Sequence, residues 1–367
     1  MIDNSKFVLQ ESVRTYFNGK TEYRLRKGIW NYEEAEIDIA SFSEAFHAFF
    51  ANMIDVLCSV DGFSVSKVDY SKLNVEEKET IKSLLSQLEA GSYLLDLANR
   101  DLNRELSYAL LGYSLVDDRG GNGNMEEPSI LVFTDSEHAK NNARSLASTM
   151  KLKLTFASEA DFEHLSNCDL TTKTDGLSTE DEMAECHEKY GSYKVFLICL
   201  QNLSAKFMHN LNRLSVEYHI PMVIAFIDGP MISVLSVKSP DTGCYECFEN
   251  RSLARIQDHV LFHQFEQSAR SRKMVHNSCL VPVMNFLINI CLAECYLFAY
   301  YGASRFEGRL LSVFIPTLEI QVQDVLRVPF CPACGIVAKE QLKEKNISTR
   351  ALIDHFVDNA ILKKINK

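Results

Sequence analysis

The chain has 367 residues, and its 38 Lys and Arg face 49 Asp and Glu, a net charge of −11. That length allows about two or three domains, and a hydrophobic content of 46% excludes a disordered chain. The acidic balance disfavours a role built on phosphate contacts, so no nucleic-acid partner is expected. The opening MIDNSKFVLQ lacks the apolar core of a signal peptide, so a cytoplasmic location is expected. There, 11 cysteines read as free thiols or metal ligands rather than as a disulfide framework.

In chain order, residues 7–16 and 21–27 are β-rich runs, joined by Asn18-Gly19, a turn pair tolerant of positive φ. Ala35, Ile37 and Ile39 alternate with Glu34, Glu36 and Asp38, the period of a half-buried strand. Ser41-Phe42-Ser43-Glu44 has the spacing of a capping box, and Phe42, Phe46, Phe49, Phe50, Met53 and Leu57 make one helical stripe. A second helix starts at Asn74 with Glu77 as its partner. It carries Ile81, Leu84, Leu85 and Leu88, and ends with Gly91 as its C′ residue. This order predicts a winged-helix-like α+β module over residues 1–95, followed by a helix from Leu94 to Leu111 and a loop over 117–124 within a 96–128 linker.

From residue 129 the pattern becomes α/β. Strands are predicted at 130–133, 152–156, 195–200, 222–227 and 232–237, with helices at 136–150 and 204–218, hence a mainly parallel sheet covered on both faces. Residues 158–191 read as an acidic, polar surface excursion. Residues 280–301 are apolar enough to span a bilayer, but Asn285, Asn289 and Glu294 would be costly in hydrocarbon. A buried core helix is the better reading, and no transmembrane segment is expected.

Two knuckles carry the clearest chemistry. Cys244-Tyr245-Glu246-Cys247 and Cys331-Pro332-Ala333-Cys334 each aim two thiolates from a tight turn, and together they supply a tetrahedral zinc set. A closed shell of four thiolates leaves no open position, so this zinc is expected to be structural. With 83 residues between Cys247 and Cys331, the ion would clamp distant loops of one fold. A redox CxxC is the weaker rival. The remaining cysteines (58, 168, 186, 199, 279, 291 and 295) read as packed thiols. Cys186-His187 is not a catalytic pair without supporting geometry, and His259, His263 and His276 read as solvated or locally bonded. No catalytic residue is assigned. A dinucleotide-type site needs a Gly-rich turn after its first strand; this chain has Thr134-Asp135-Ser136-Glu137-His138 there, with two acids where phosphate would sit. The residues argue against nucleotide binding by this chain.

With these features, residues 195–199, Asn202, Lys206, Asn210, Ile220-Pro221, Pro240 and the two knuckles resemble the ThiF/E1-like superfamily of adenylyltransferases. The resemblance implies a degenerate Rossmann-type E1-like domain over 129–367, in which Gln201 stands at the magnesium-binding Asp position. An amide is a poorer ligand for a hard cation than a carboxylate. Residues 23–32 resemble the start of C proteins of the streptolysin S type, from azole-modified peptide (thiazole/oxazole-modified microcin) biosynthesis in bacteria. That resemblance implies a leader-peptide-binding cyclodehydratase subunit that holds no ATP itself. The implied partners are a precursor peptide leader, a YcaO-type subunit that binds ATP and magnesium and forms the azolines, and an FMN-dependent dehydrogenase; a homodimer is an allowed assembly. Ala35, Glu36, Ile37, Asp38 and Ile39 are the candidate edge strand for the leader, and Ile81, Leu84 and Leu85 the candidate groove. The alternative is an active E1-like adenylyltransferase that charges a carrier protein.

Overall fold

The structure is a computed structural model describing residues 4–19, 21–67, 69–98, 105–106, 109–110, 127–171, 176–201, 203–268 and 280–335. The chain divides into two compact units, residues 1–118 and 119–367.

The first unit holds two three-stranded antiparallel sheets rather than the single sheet expected. One joins β1 (Lys6–Leu9), β5 (Phe63–Ser64) and β6 (Leu94–Asp96) in the order β5-β1-β6. The other joins β2 (Val13–Asn18), β3 (Glu22–Lys27) and β4 (Glu33–Asp38) in the order β2-β3-β4. The β2–β3 hairpin turns at Gly19, whose φ of 78° a side chain would resist. The helix predicted from Leu94 does not begin there: Leu94, Leu95 and Asp96 pair with Leu9, Val8 and Phe7, because β1 offers an open edge that local propensity cannot reveal.

Helix α1 (Glu44–Leu57) starts two residues later than the capping-box spacing indicates. Ser43 is the N-cap and accepts from the Phe46 amide. The carboxylate serving it comes not from Glu44 but from Glu77, whose Oε1 accepts the Ser43 hydroxyl at 2.7 Å. Glu77 also closes the capping box of α2 (Val75–Ala90) with Asn74, so one side chain ties the starts of both helices. Gly91 is the C-cap of α2, and the left-handed residue beyond it is Ser92, with φ 54°. Phe46, Phe50, Met53, Leu57, Ile81 and Leu85 form the core with Phe7 and Leu25. Burying each large side chain contributes roughly 1.5–3 kcal/mol.

The second unit is built on a seven-stranded sheet in the order β13-β12-β11-β10-β9-β7-β8. Four strands are parallel: β7 (Ser129–Thr134), β8 (Lys153–Phe156), β9 (Val195–Leu200) and β10 (Met222–Asp228). The sheet then turns antiparallel through β11 (Met231–Val237), β12 (Arg309–Phe314) and β13 (Glu319–Asp324). Three antiparallel strands make the sheet mixed rather than mainly parallel. The tight turn at Asp228–Met231, with Gly229 at φ 57°, sends β11 straight back along β10.

Helices α3 (Glu137–Met150) and α6 (Ala205–Tyr218) are the crossovers after β7 and β9. The stretch read as a polar excursion instead contains α4 (Glu159–Asn167) and α5 (Gly176–Tyr190). Leu165, Cys186 and Tyr190 from them enter the main core. Most of their acids lie at the surface, whereas Asp161 is largely buried and accepts the Tyr190 hydroxyl at 3.0 Å. Short helices α7 (Tyr245–Leu253) and α8 (His259–Ser268) follow, then α9 (Val281–Tyr301). Helix α9 is the one described helix long and apolar enough to cross a membrane. It lies against α3, β9, β10 and β11 as a core helix. Its Glu294 is fully buried and meets Arg305 at 2.6 Å and the Ser304 hydroxyl at 2.7 Å.

Candidate metal centre, strand-end crevice and open sheet edge

The two knuckles converge. Cys244 is the N-cap of α7 and Cys247 lies in its first turn, while Cys331 and Cys334 sit in the turn that follows β13. The four Sγ atoms lie within 4.8 Å of one another, all buried. Cys244 is 3.9 Å from Cys247 and 3.6 Å from Cys331, and Cys247 is 3.4 Å from Cys334. A tetrahedron of about 2.3 Å Zn–S bonds has S···S edges of about 3.8 Å, so the donor set fits zinc in number, chemistry and spacing. The distances are far beyond a disulfide bond. In this packed set, hydrogen bonding from Cys244 and Cys247 lowers the Cys331 thiol pKa. Bonds to Cys247, Cys331 and Cys334, together with burial, push the Cys244 thiol up.

The surrounding shell orients these ligands. Asn212 of α6 is fully buried; its Oδ1 accepts the Tyr245 amide at 3.0 Å, and its Nδ2 reaches Cys244 Sγ at 3.6 Å and Glu246 Oε1 at 3.2 Å. The Val328 amide donates to Cys247 Sγ at 3.3 Å. Arg213 pairs with buried Glu246 at 3.1 Å and also donates to the Pro332 carbonyl, joining both knuckles. Arg327 donates to the Cys334 carbonyl at 2.9 Å. Gly335 admits no side chain, since a Cβ there would lie 2.5 Å from the Cys331 carbonyl oxygen. Glu246 balances Arg213, so Arg327 is the guanidinium that would offset part of the charge of four thiolates around a divalent ion. Glu246 appeared in the sequence only as a spacer within the first knuckle, and Asn212, Arg213 and Arg327 carried no pattern.

The strand order reverses at β7, which has β8 on one side and β9 on the other. Ligands of open α/β sheets bind outside the carboxyl ends of strands at such a point. Here that place holds Asp135, after β7, and Gln201, after β9. Asp135 Oδ2 accepts the Gln201 amide at 3.0 Å. The N-terminus of α3 is already served by Ser136, whose side chain accepts from Ala139, and Glu137 adds a charge in its first turn. An incoming phosphate would meet two carboxylates there.

Lys206 and Asn210, two of the residues that carry the resemblance drawn from the sequence, bond to α4 and the turn after it. Lys206 Nζ donates to the Asn167 carbonyl at 3.0 Å. Buried Asn210 donates to the Leu165 and Cys168 carbonyls at 2.8 Å and accepts from the Leu170 amide. Asn202, Cys279, His276 and the 117–124 loop lie outside the described residues. Cys168, Cys186, Cys199, Cys291 and Cys295 are buried free thiols, whereas Cys58 is exposed.

Of the candidate peptide residues, Ala35, Glu36, Ile37 and Asp38 lie on β4, an outer strand of its sheet. Ile39 is 2% exposed and its amide donates to the Thr21 carbonyl, so it belongs to the core. Ile81 and Leu85 are fully buried and line no open groove; Leu84 is half-buried. The apolar stripe of α2 packs on the core of its own unit. Glu34 accepts from Tyr16 at 2.6 Å and pairs with Arg24 and Arg26, each at 2.8 Å.

Neither a protein-family model nor a curated protein matches the chain. Among solved structures, it is similar to the heterocyclase TruD, with 14% identity and a TM-score of 0.58 over 90% of this chain and 43% of that one. A heterocyclase in complex with substrate and cofactor gives 11% identity and the same TM-score over 90% and 40%. E. coli MccB with MccA gives 12% identity and a TM-score of 0.49 over 90% and 100%. The chain thus shares the fold of these heterocyclases, while spanning less than half of their length.

Proposed function

We propose that this chain is the leader-peptide-binding, non-ATP-binding subunit of a cyclodehydratase in azole-modified peptide biosynthesis. The first unit acts as a winged-helix-like recognition module whose β4 edge captures the precursor's leader. The second is a degenerate E1-like body held by a structural zinc on Cys244, Cys247, Cys331 and Cys334. A YcaO-type partner holds ATP and magnesium and forms the azolines, and an FMN-dependent dehydrogenase oxidises them. The compartment is the bacterial cytoplasm.

The observation that carries this reading is the likeness to a heterocyclase over nearly all of this chain and under half of the other. The acidic strand-end crevice supports a body that holds no nucleotide. In the proposed role the zinc supplies only folding free energy, since four thiolates leave it no open position.

The test is ATP–pyrophosphate exchange and ATP hydrolysis by the purified chain, alone and with a YcaO partner and precursor peptide. The expected result is no turnover alone and ATP-dependent loss of water from the precursor in the complete mixture. Exchange by the chain alone would overturn the proposal in favour of the adenylyltransferase alternative.

A further inference from the structure

The β4 strand has an alternation that its neighbours do not satisfy. It pairs with β3 on one side, and among the described residues no strand pairs with its outer side. In an antiparallel strand, alternate residues point their N–H and C=O away from a given neighbour, so the outer edge offers main-chain groups to an added strand. Its side chains divide cleanly by face. Ala35 and Ile37 are half-buried and pack against the core of the unit. Glu36 is 60% exposed and Asp38 is exposed on the opposite face.

The charges are also divided between the strands. Strand β4 carries four carboxylates and no base, whereas Arg24, Arg26 and Lys27 all lie on the inner strand β3. Glu34 is taken up by Tyr16, Arg24 and Arg26. Glu36 touches Arg24 at 3.0 Å yet stays open to solvent, and exposed Asp38 accepts the local Ala40 amide at 2.9 Å. The inner strand's cations thus leave the edge itself acidic.

Side chains directly opposite one another in a sheet lie on the same face, so the period of two on β4 is imposed on any strand added to it. We propose, resting on the leader-capture reading above, that β4 takes an extended peptide segment in which Lys or Arg at alternate positions face Glu36 and Asp38 and an apolar residue between them covers Ile37. The pattern is the same for either strand direction. The turn between β3 and β4 supplies a further contact, because Ile29, Trp30 and Tyr32 are 63%, 94% and 51% exposed there. Trp30 is also the single tryptophan of the chain, which makes it a reporter at the end of the proposed seat.

The experiment displays a randomised nine-residue peptide library to the full-length, zinc-loaded protein and to two variants, Glu36→Lys/Asp38→Lys and Glu36→Gln/Asp38→Asn. The expected result is enrichment of peptides with basic residues two positions apart around an apolar one. A synthetic peptide of that pattern should shift Trp30 emission to the blue. Its binding should fall at least ten-fold in the neutral variant, with selection turning to acidic patterns in the lysine variant. Enrichment without this pattern, or with binding unchanged in both variants, overturns the inference and leaves peptide capture standing. No enrichment at all removes the capture reading and this inference together.

Discussion

Asp135 Oδ2 accepts the main-chain amide of Gln201 at 3.0 Å, across the point where the strand order of the large sheet reverses. The two residues are far apart in sequence but close the ends of β7 and β9 against each other. A carboxylate acceptor makes this a charge-assisted bond.

Replacing Asp135 with Ala should lower stability by about 1.5–3 kcal/mol, the range for a hydrogen bond to a charged group. It should not create ATP turnover, because Glu137 and the capped start of α3 remain. Chemical denaturation and nucleotide hydrolysis assays check both halves. Unchanged stability would mean that the contact contributes nothing to the fold.

For the metal centre, freshly purified protein should contain about one zinc per chain, and chelation or Cys331→Ser should lower the unfolding midpoint. Asn212→Ala should cost about 2–3 kcal/mol, because the Tyr245 amide and Glu246 lose a fully buried partner. It should also speed zinc loss. Metal analysis that finds no zinc, or an Asn212→Ala protein of unaltered stability, would contradict this account.

Glu294 and Arg305 provide a separate test of the core. Arg305→Ala leaves a fully buried carboxylate whose partners among the described residues are Ser304 and the main-chain amide of residue 305. The expected loss is about 3 kcal/mol, at the low end for breaking a buried pair because Arg305 is itself partly exposed. Pairing that change with Glu294→Gln should recover much of the loss in a double-mutant cycle, since the unpaired charge is gone.

The Tyr16 hydroxyl and the Arg26 guanidinium hold the Glu34 carboxyl down to about 2, against an ordinary value of 4.5. The folded state therefore keeps this group ionised more readily than the unfolded chain does. Its contribution is full above the unfolded value and fades as pH falls through the interval toward 2. In circular-dichroism melts across that interval, Glu34→Gln should show a shallower decline than wild type. Parallel declines would rule out Glu34 as a source of the acid sensitivity.

Local chemistry made several parts of this protein legible in advance. The CxxC spacing names thiolate pairs, because two intervening residues place both sulfurs on one side of a turn. An apolar stripe found α1 and α2, since a helix buries one face, and the long apolar run of residues 280–301 marked α9. The acids after β7 are in the sequence itself, and the structure places Asp135 and Glu137 at that strand end. Other parts were misread for equally physical reasons. Leu94–Asp96 became a strand because β1 was there to pair with it, and residues 159–190 formed two core helices from few apolar positions.

What the sequence by itself determined is the chemistry available: four soft ligands, an acidic strand of period two, and an apolar helix carrying one carboxylate. What only the tertiary structure decided is which of these meet. The two knuckles, remote along the chain, come together because β12 and β13 carry the second one back to α7, and Glu294 is tolerable because the chain beyond α9 returns Arg305 to it. Ile81 and Leu85 are core rather than groove for the same reason: burial depends on what packs opposite a side chain, and that is supplied by residues distant in the chain.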